Sequence, residues 1–211
     1  MFPAASRERK PGRRAGRAAS DPAPFSAPRV PSARRLLCLP LMARRWRIYI
    51  SISVLIVVAD QLTKLWARHA LPVDAAGYGI RVPVIENFFD FVLAHNTGAA
   101  FSIMAGNAGS RVLLTVLGLV AISAITYMAA RARDDQVGLV VALSLMAGGA
   151  VGNLIDRTLL GTVTDFVLWR WHEHTWPVFN VADASLSIAI TLFVAHAVRT
   201  AWRGRRAVQG A

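Results

Sequence analysis

The chain has 211 residues, of which 55% are hydrophobic, and its single cysteine, Cys38, excludes an intrachain disulfide bond. The apolar residues gather into four runs of roughly the 20 residues that cross a bilayer, which excludes a soluble globular domain. The net charge of +12 lies mostly in residues 1–47, which hold 12 of the 24 basic residues. A basic tail can bind nucleic acid. Because this tail precedes a membrane span, we interpret its positive charge as keeping the tail on the cytoplasmic side. We expect no nucleic-acid partner.

Residues 1–41 are rich in Ala, Arg, Pro and Ser and show no helical or strand period, so we predict a disordered basic extension. Met42 is followed closely by Arg44, Arg45 and Arg47, which is a natural start for a membrane protein. The extension is therefore either dispensable or upstream of the true start, and both alternatives stay open. We assign residues 42–211 to one membrane domain.

We predict an all-α membrane protein whose four spans lie at about residues 46–66, 112–130, 137–155 and 181–198. The first span ends with Asp60 and Lys64, which are four residues apart and share a helix face. One interpretation is an ion pair at the helix end, with Lys64 reaching towards the interface. The other is that Asp60 lines a polar site.

The long segment between the first two spans contains helix-breaking Pro and Gly residues. Its apolar residues at 80–94 favour short strands on the membrane surface. Asn96, Gly98 and Ala100 follow these strands. They form either a plain turn or a row of small residues that lets another backbone approach closely.

The third span carries Gly148 and Gly152, a spacing typical of close helix packing in lipid. Asn153, Asp156 and Arg157 follow at helical spacing at its far end. The loop 158–180 contains three tryptophans, which indicate the membrane interface. Its pair His172 and His174 lacks the further His or Cys ligands that zinc needs, so we expect no metal and no cofactor.

Basic residues precede the first span, separate the second from the third and follow the fourth, which places both termini in the cytoplasm. The unusual polar residues then share one depth, near the outer membrane face. They are Asp60, Lys64, Asn96, Asn153, Asp156, Arg157, Asp165, Asn180 and Asp183. Polar groups are costly there, so their convergence indicates a functional site.

Asp165 and Asp183 lie in the segments that flank a turn, and we interpret them as a pair of interacting carboxylates. In such a pair one carboxyl keeps its proton and can donate it to a carbonyl oxygen, while the ionised one takes a proton from water. The pattern predicts hydrolysis of a peptide bond without a covalent intermediate or a metal. No serine or cysteine lies in a comparable polar group, which argues against a nucleophilic mechanism.

Two other classes of protein remain as alternatives. A small ion-coupled transporter would need polar groups near the membrane midplane, whereas the second and third spans are apolar across their inner halves. A membrane scaffold, in which the acids only pair with Lys64 and Arg157, would leave the pairing of Asp165 with Asp183 unexplained.

Five motifs, in order over about residues 46–198, resemble the bacterial lipoprotein signal peptidase family, also called signal peptidase II, a family of intramembrane aspartyl proteases. They are Asp60-Gln61 with Lys64, Asn96-x-Gly98-x-Ala100-Phe101, Gly148-Gly149-x-x-Gly152-Asn153-x-x-Asp156-Arg157, Gly161-x-Val163-x-Asp165-Phe166 and Phe179-Asn180-x-Ala182-Asp183. The resemblance implies a four-helix membrane bundle with a small extracytoplasmic β-rich cradle. It also implies a monomer in the bacterial plasma membrane.

The resemblance further implies that Asp165 and Asp183 are the catalytic pair. The implied substrate is a prolipoprotein, cleaved just before a cysteine that already carries diacylglycerol. The implied substrate-binding or supporting residues are Asp60, Lys64, Asn96, Gly98, Ala100, Asn153, Asp156, Arg157, Asn180 and Ala182. The chain departs from the family at Ala184, where serine is frequent, and residues 1–41 have no family counterpart.

Overall fold

The computed structural model describes residues 43–98 and 108–209. Within these ranges the chain forms four long helices and four short strands. In chain order they are α1 (Arg44–Ala70), β1 (Val82–Ile85), β2 (Phe89–Asn96), α2 (Ala108–Arg131), α3 (Val137–Leu159), β3 (Val163–Trp171), β4 (His174–Thr175) and α4 (Val181–Gln209). The four helices are long and apolar enough to cross a membrane, so the predicted fold is confirmed.

Helix α3 lies at the centre of the bundle and contacts the other three helices. Half of its most apolar stretch is buried, against 17% in α1 and in α4 and 6% in α2. Its glycines allow this, because a Cβ at Gly148 would lie 2.7 Å from the Cβ of Ile56 in α1. A Cβ at Gly149 would lie 2.6 Å from the carbonyl oxygen of Ala182 in α4. The predicted role of Gly148 in close helix packing is confirmed.

The outer faces of the helices carry large apolar side chains that no other described residue covers, among them Val54, Leu62, Leu117 and Ile190. In a membrane these residues face lipid tails, which are as apolar as they are. At one end of the bundle, Arg45 of α1 donates to the carbonyl oxygen of Ala132 in the α2–α3 connection at 3.0 Å. The start of α1 and this connection therefore lie on the same side.

The sheet is antiparallel in the order β1-β2-β3-β4. Its register shifts by one residue between Phe91, which pairs with Val167, and Ala94, which pairs with Asp165. This bulge in β2 lies beside Asp165, and bulges commonly redirect side chains next to functional sites. Under the sheet, Leu93 and Phe166 pack against Ala67 and Leu71 at the end of α1.

Two features differ from the sequence-based expectations. The segment 158–180, expected to be a loop, contains β3 and β4, so Asp165 lies on a strand. Strand formation follows from β-branched and aromatic residues such as Val163, Phe166 and Trp169, which favour pleated, half-buried structure. The helices also extend past the predicted spans, most of all α4, which continues to Gln209.

Candidate active site

The two aspartates Asp165 and Asp183 approach each other where the sheet meets the bundle. Asp165 projects from β3 and is only 2% exposed, and Asp183 lies in the first turn of α4. Burial and, next, the negative charge of Asp183 raise the pKa of Asp165, so the two carboxylates lie close enough to interact. The structure therefore brings together the two carboxylates that the sequence paired.

Asn180 connects the two aspartates. Its side-chain nitrogen donates to Asp165 Oδ1 at 2.6 Å, and its side-chain oxygen accepts the backbone N–H of Asp183 at 2.9 Å. The same nitrogen lies 3.1 Å from the side-chain oxygen of Asn153 and 3.2 Å from the carbonyl oxygen of Thr164. Asn180 is fully buried, so each of these contacts satisfies a group that has no access to water.

Asn96 holds the other oxygen of Asp165. Its side-chain nitrogen donates to Asp165 Oδ2 at 3.1 Å, while its side-chain oxygen accepts the backbone N–H of Gly98 at 2.8 Å. Gly98 adopts a positive φ of 86°, and a Cβ there would meet the side chain of Leu114 in α2 at 2.5 Å. The turn is confirmed at Gly98, whereas the contact there is with a side chain, so the approach of another backbone to this row of small residues stays a prediction. Ala100 lies outside the described residues.

Asn153 connects Asp183 to a buried lysine. The side-chain nitrogen of Asn153 donates to Asp183 Oδ1 at 2.7 Å, and its side-chain oxygen accepts from Lys64 Nζ at 2.9 Å. Lys64 is fully buried and pairs with Asp60 at 2.8 Å and with Asp156 at 3.5 Å. A charge held away from water requires such partners. The position of the Asp183 carboxylate therefore depends on a polar network that extends to Lys64 in α1.

Asp60 is both an ion-pair partner and a cap. Its second oxygen accepts the backbone N–H of Ala182 at 2.9 Å, a group at the start of α4 that has no partner within its own helix. A Cβ at Gly152 would lie 2.5 Å from Asp60 Oδ2 and 3.4 Å from the Cβ of Ala182. Gly152 and Ala182 are therefore small because Asp60 passes between α3 and α4.

Asp156 fixes the start of the strand that carries Asp165. Its Oδ2 accepts the backbone N–H of Thr164 at 2.8 Å, and its Oδ1 accepts from Gln61 at 3.3 Å. Arg68 reaches the same region, donating to the Thr164 hydroxyl at 3.0 Å and lying 3.8 Å from Asp156. Two cations thus balance Asp60 and Asp156.

Arg157 is half-buried. The negative charges of Asp183, Asp165 and Asp156 stabilise its positive charge. The end of its helix is held from outside by Arg111 of α2, which donates to the carbonyl oxygens of Arg157 at 3.0 Å and Thr158 at 2.5 Å. A cation suits the negative end of a helix dipole. Arg111 therefore fixes the turn between α3 and β3.

Burial raises the pKa of the Asp165 carboxyl to about 7, and the charge of Asp183 adds to the increase. Hydrogen bonds from Asn96 and Asn180, together with the positive charge of Lys64, act in the opposite direction. At neutral pH a large fraction of Asp165 is therefore protonated. Such a carboxyl can donate a proton to a substrate oxygen, while a neighbouring carboxylate accepts one from water.

Sequence reasoning missed Arg68, Arg111 and Thr164, and it named Gln61 only as part of a motif. Gln61, Arg111 and Thr164 bond to predicted site residues, and Arg68 lies 3.8 Å from Asp156. The position of Arg68, one turn beyond Lys64 on the same helix face, could have indicated it. Thr164 bonds to Asp156 through its backbone N–H, which leaves no signal in the residue type, and its hydroxyl accepts from Arg68.

Within the described residues, four helices able to cross a membrane and a pair of aspartates at one end of the bundle, Asp165 buried and Asp183 half-buried, define an integral membrane protein that carries the groups of an aspartic hydrolase. A sequence profile of the family described as Signal peptidase (SPase) II matches residues 52–199. The chain belongs to this family, and it is an aspartic endopeptidase of the bacterial membrane.

Individual relatives and solved structures agree with this assignment. Lipoprotein signal peptidase of Pseudomonas putida is 39% identical over 67% of this chain and 81% of its own length. Those of Syntrophotalea carbinolica and Geobacter metallireducens are 37% and 36% identical over 71% and 75% of this chain, covering 90% and 94% of their own lengths. A bacterial membrane enzyme solved by the in meso method matches with a TM-score of 0.62 and 29% identity, over 72% of this chain and 87% of that one.

Proposed function

We propose that the chain removes signal peptides from diacylglyceryl-modified prolipoproteins, cleaving just before the lipidated cysteine. The family and the printed names of its members support lipoprotein precursors as the substrate class. The observation that supports the catalytic assignment is the buried side-chain amide of Asn180, which bonds to the carboxylate of Asp165 and to the backbone of Asp183. It links Asp165 to the helix turn that carries Asp183, which supports a joint action of the two carboxylates on one scissile bond.

In the proposed reaction, a water molecule lies between the two carboxyl groups. Ionised Asp183 takes a proton from this water as its oxygen attacks the scissile carbonyl carbon, and protonated Asp165 donates a proton to the carbonyl oxygen. The tetrahedral intermediate then breaks its C–N bond: the departing amine takes up the proton held by Asp183, and one hydroxyl group of the intermediate returns its proton to Asp165, which restores both carboxyl groups. The products are the signal peptide with a free carboxylate and the lipoprotein with a free lipidated N-terminus.

We infer the orientation from charge. Basic residues lie at the start of α1, in the α2–α3 connection and at the end of α4, and basic residues mark the cytoplasmic side. The contact of Arg45 with Ala132 supports a common side for the first two sets. The termini are then cytoplasmic, and Asp165 and Asp183 lie near the outer face, where a secreted precursor arrives.

The proposal is tested by cleavage of a diacylglyceryl-modified prolipoprotein in detergent or lipid, comparing the parent with Asp165→Asn and Asp183→Asn. Asp135→Asn is the matched control, because Asp135 lies in an exposed connection and, among the residues that the structure describes, forms an ion pair only with Arg133. We expect cleavage by the parent and the control and none by either dyad variant, with all four proteins folded. Cleavage that survives both dyad substitutions overturns the catalytic assignment. If the parent is folded and cleaves nothing, the proposed substrate is wrong.

A further inference from the structure

Thr164, the residue before Asp165 on β3, is bonded to three other parts of the chain. Its backbone N–H donates to Asp156 Oδ2 of α3 at 2.8 Å, and its carbonyl oxygen accepts from the side chain of Asn180 at 3.2 Å. Its hydroxyl accepts from Arg68 Nη1 of α1 at 3.0 Å. Thr164 is fully buried, so water cannot replace any of these bonds.

The position of Thr164 matters because the strand ladder is irregular on the other side of Asp165. The pairing of β2 with β3 is in register at Thr164 and Asp165, but two residues of β2 then lie opposite Phe166 alone. Such a bulge interrupts the ladder and bends the strand. The place of Asp165 along β3 is therefore fixed mainly from the Thr164 side.

Arg68 contacts β3 on the face opposite to the Asp165 carboxyl. Successive side chains of a strand point to opposite faces, so Thr164 and Phe166 share one face and Asp165 lies on the other. Phe166 packs against Ala67, the neighbour of Arg68, which agrees with a position of α1 on the Thr164 face. Arg68 therefore acts on the Asp165 carboxyl through Thr164.

Arg68 is itself held in place. Its Nη1 lies 3.8 Å from Asp156 Oδ1, and the other oxygen of this carboxylate accepts the backbone N–H of Thr164. Arg68, Asp156 and Thr164 thus form a closed ring of contacts that joins α1, α3 and β3. A guanidinium group keeps its charge at every pH at which proteins fold, so this ring does not open as the pH changes.

We propose that Arg68 is a positioning residue for the reaction, which acts through the Thr164 hydroxyl to hold the Asp165 carboxyl beside Asp183. The inference rests on the proposed function. Without the bond to the hydroxyl, β3 can shift at Thr164 and carry the Asp165 carboxyl away from Asp183 and from the scissile carbonyl. A misplaced proton donor slows the chemical step, whereas contacts with the substrate elsewhere are kept.

The same displacement should change the ionisation of Asp165. Burial and then the charge of Asp183 raise its pKa, so a shift towards water and away from Asp183 lowers the pKa again. The other charged or titratable groups around it are Lys64 of α1, Asp156 and Arg157 of α3, and His95 of β2, which pairs with Thr164. Loss of the Thr164 hydroxyl removes none of these groups. The alkaline fall in kcat/KM should therefore move to lower pH by about half a unit or more.

The experiment compares Thr164→Val, which keeps the shape of the side chain and loses the hydroxyl, with Thr164→Ser, which keeps the hydroxyl. Cleavage of a diacylglyceryl-modified prolipoprotein is measured across pH, with rates corrected for the folded fraction. We expect Thr164→Val to lower kcat at least about tenfold with KM within about twofold of the parent. Thr164→Ser should stay within about threefold of the parent in kcat and keep its pH profile.

Changes at Arg68 test the other end of the bond. Arg68→Met should resemble Thr164→Val, and Arg68→Lys, which keeps a cationic N–H donor, should retain more activity. The matched control is Arg81→Met at an exposed position before β1, which should behave as the parent. The double variant Arg68→Met with Thr164→Val should be no slower than the slower single variant, because either change removes the same bond. If Thr164→Val folds poorly, the comparison of Arg68→Met with Arg68→Lys takes its place.

A lower kcat and a shifted alkaline side in Thr164→Val, with Thr164→Ser close to the parent, support the inference. A folded Thr164→Val with the kcat of the parent overturns it, and so does a lower kcat with an unchanged pH profile. Losses that multiply in the double variant also overturn it, because Arg68 would then act by another route. In each of these cases cleavage by the parent leaves the proposed function standing, whereas a folded parent that cleaves nothing removes both.

Discussion

Asn180 and Asp183 are joined twice at the start of α4. The backbone N–H of Asp183 donates to the side-chain oxygen of Asn180 at 2.9 Å, and the backbone N–H of Asn180 approaches the Asp183 carboxylate at 3.4 Å. This reciprocal arrangement is a capping box, in which the first and fourth residues satisfy each other's free backbone donors. One proposed catalytic carboxylate therefore also stabilises the helix that carries it.

The double role of Asn180 can be separated by two substitutions. Asn180→Ser keeps an oxygen that can cap Asp183 but loses the amide that donates to Asp165, whereas Asn180→Ala loses both. We expect both variants to lose at least about tenfold in cleavage rate. Only Asn180→Ala should lose a further ~1 kcal/mol of stability from the missing cap.

Thermal unfolding in detergent and cleavage rates measure the two effects. Equal stability of the two variants would mean that the side-chain oxygen of Asn180 contributes little as a cap. Full activity in Asn180→Ser would show that its amide does not hold Asp165 in the reaction.

The rate of cleavage should depend on pH through Asp165. With the pKa of Asp165 raised to about 7, its proton is lost above neutral pH, and two adjacent negative charges then repel each other. We expect kcat/KM to fall about tenfold per pH unit on the alkaline side, and to fall again in acid as the pair takes up a second proton. A rate that is flat across this range contradicts a shared proton.

Stability should change with pH in the same range. Folding raises the pKa of Asp165 from its usual 3.8 to about 7, so the folded chain binds the proton more tightly. The contribution of Asp165 to the free energy of unfolding is then fully present below about pH 4. It is lost as the pH rises to about 7, by at most ~1.4 kcal/mol per pH unit. Asp165→Asn should lack this contribution, which unfolding midpoints of both proteins across the range will show.

Residue types and spacing were enough to predict the bundle and the proposed dyad. Long apolar runs have few alternatives to membrane helices. A carboxylate such as Asp183 beside such a run is costly in a membrane, so its presence indicates a functional site. The partners of Asp90 could not be predicted in this way. It is buried on β2 with Arg170 of β3 at 3.0 Å, a pair created by strand register. Register depends on long-range pairing that no local pattern encodes.

The buried ion cluster makes Lys64 important for stability. Lys64→Met would leave the carboxylates of Asp60 and Asp156 without their shared cation, which we expect to cost about 3–5 kcal/mol. The double variant Lys64→Met with Asp60→Asn removes one of these charges and should be more stable than Lys64→Met alone. Chemical or thermal unfolding of the set measures the coupling, and simple additivity of the two changes would argue against a direct pair.

The N-terminal extension provides a prediction about domain organisation. The family profile matches residues 52–199, and all the predicted site residues lie beyond residue 41. We therefore expect deletion of residues 1–41 to leave membrane insertion and cleavage nearly intact. Membrane fractionation and the cleavage assay test this, and lost cleavage at a normal protein level would assign a function to the extension.

Gly152 should tolerate no side chain. A Cβ there would lie 2.5 Å from Asp60 Oδ2, and Asp60 cannot withdraw because it bonds to Lys64 and to the start of α4. Gly152→Ala should therefore separate α3 from its neighbours, destabilise the fold by about 1–3 kcal/mol and lower cleavage.

The matched control for Gly152 is Gly138→Ala on the same helix. A Cβ at Gly138 meets nothing within 4 Å, so this substitution should be neutral or raise stability by up to about 1 kcal/mol through helix propensity. Unfolding midpoints and kcat/KM for the pair measure the difference. If Gly152→Ala behaves like Gly138→Ala, the carboxylate of Asp60 has room to move, and its bond to the N–H of Ala182 does not limit how closely the helices pack.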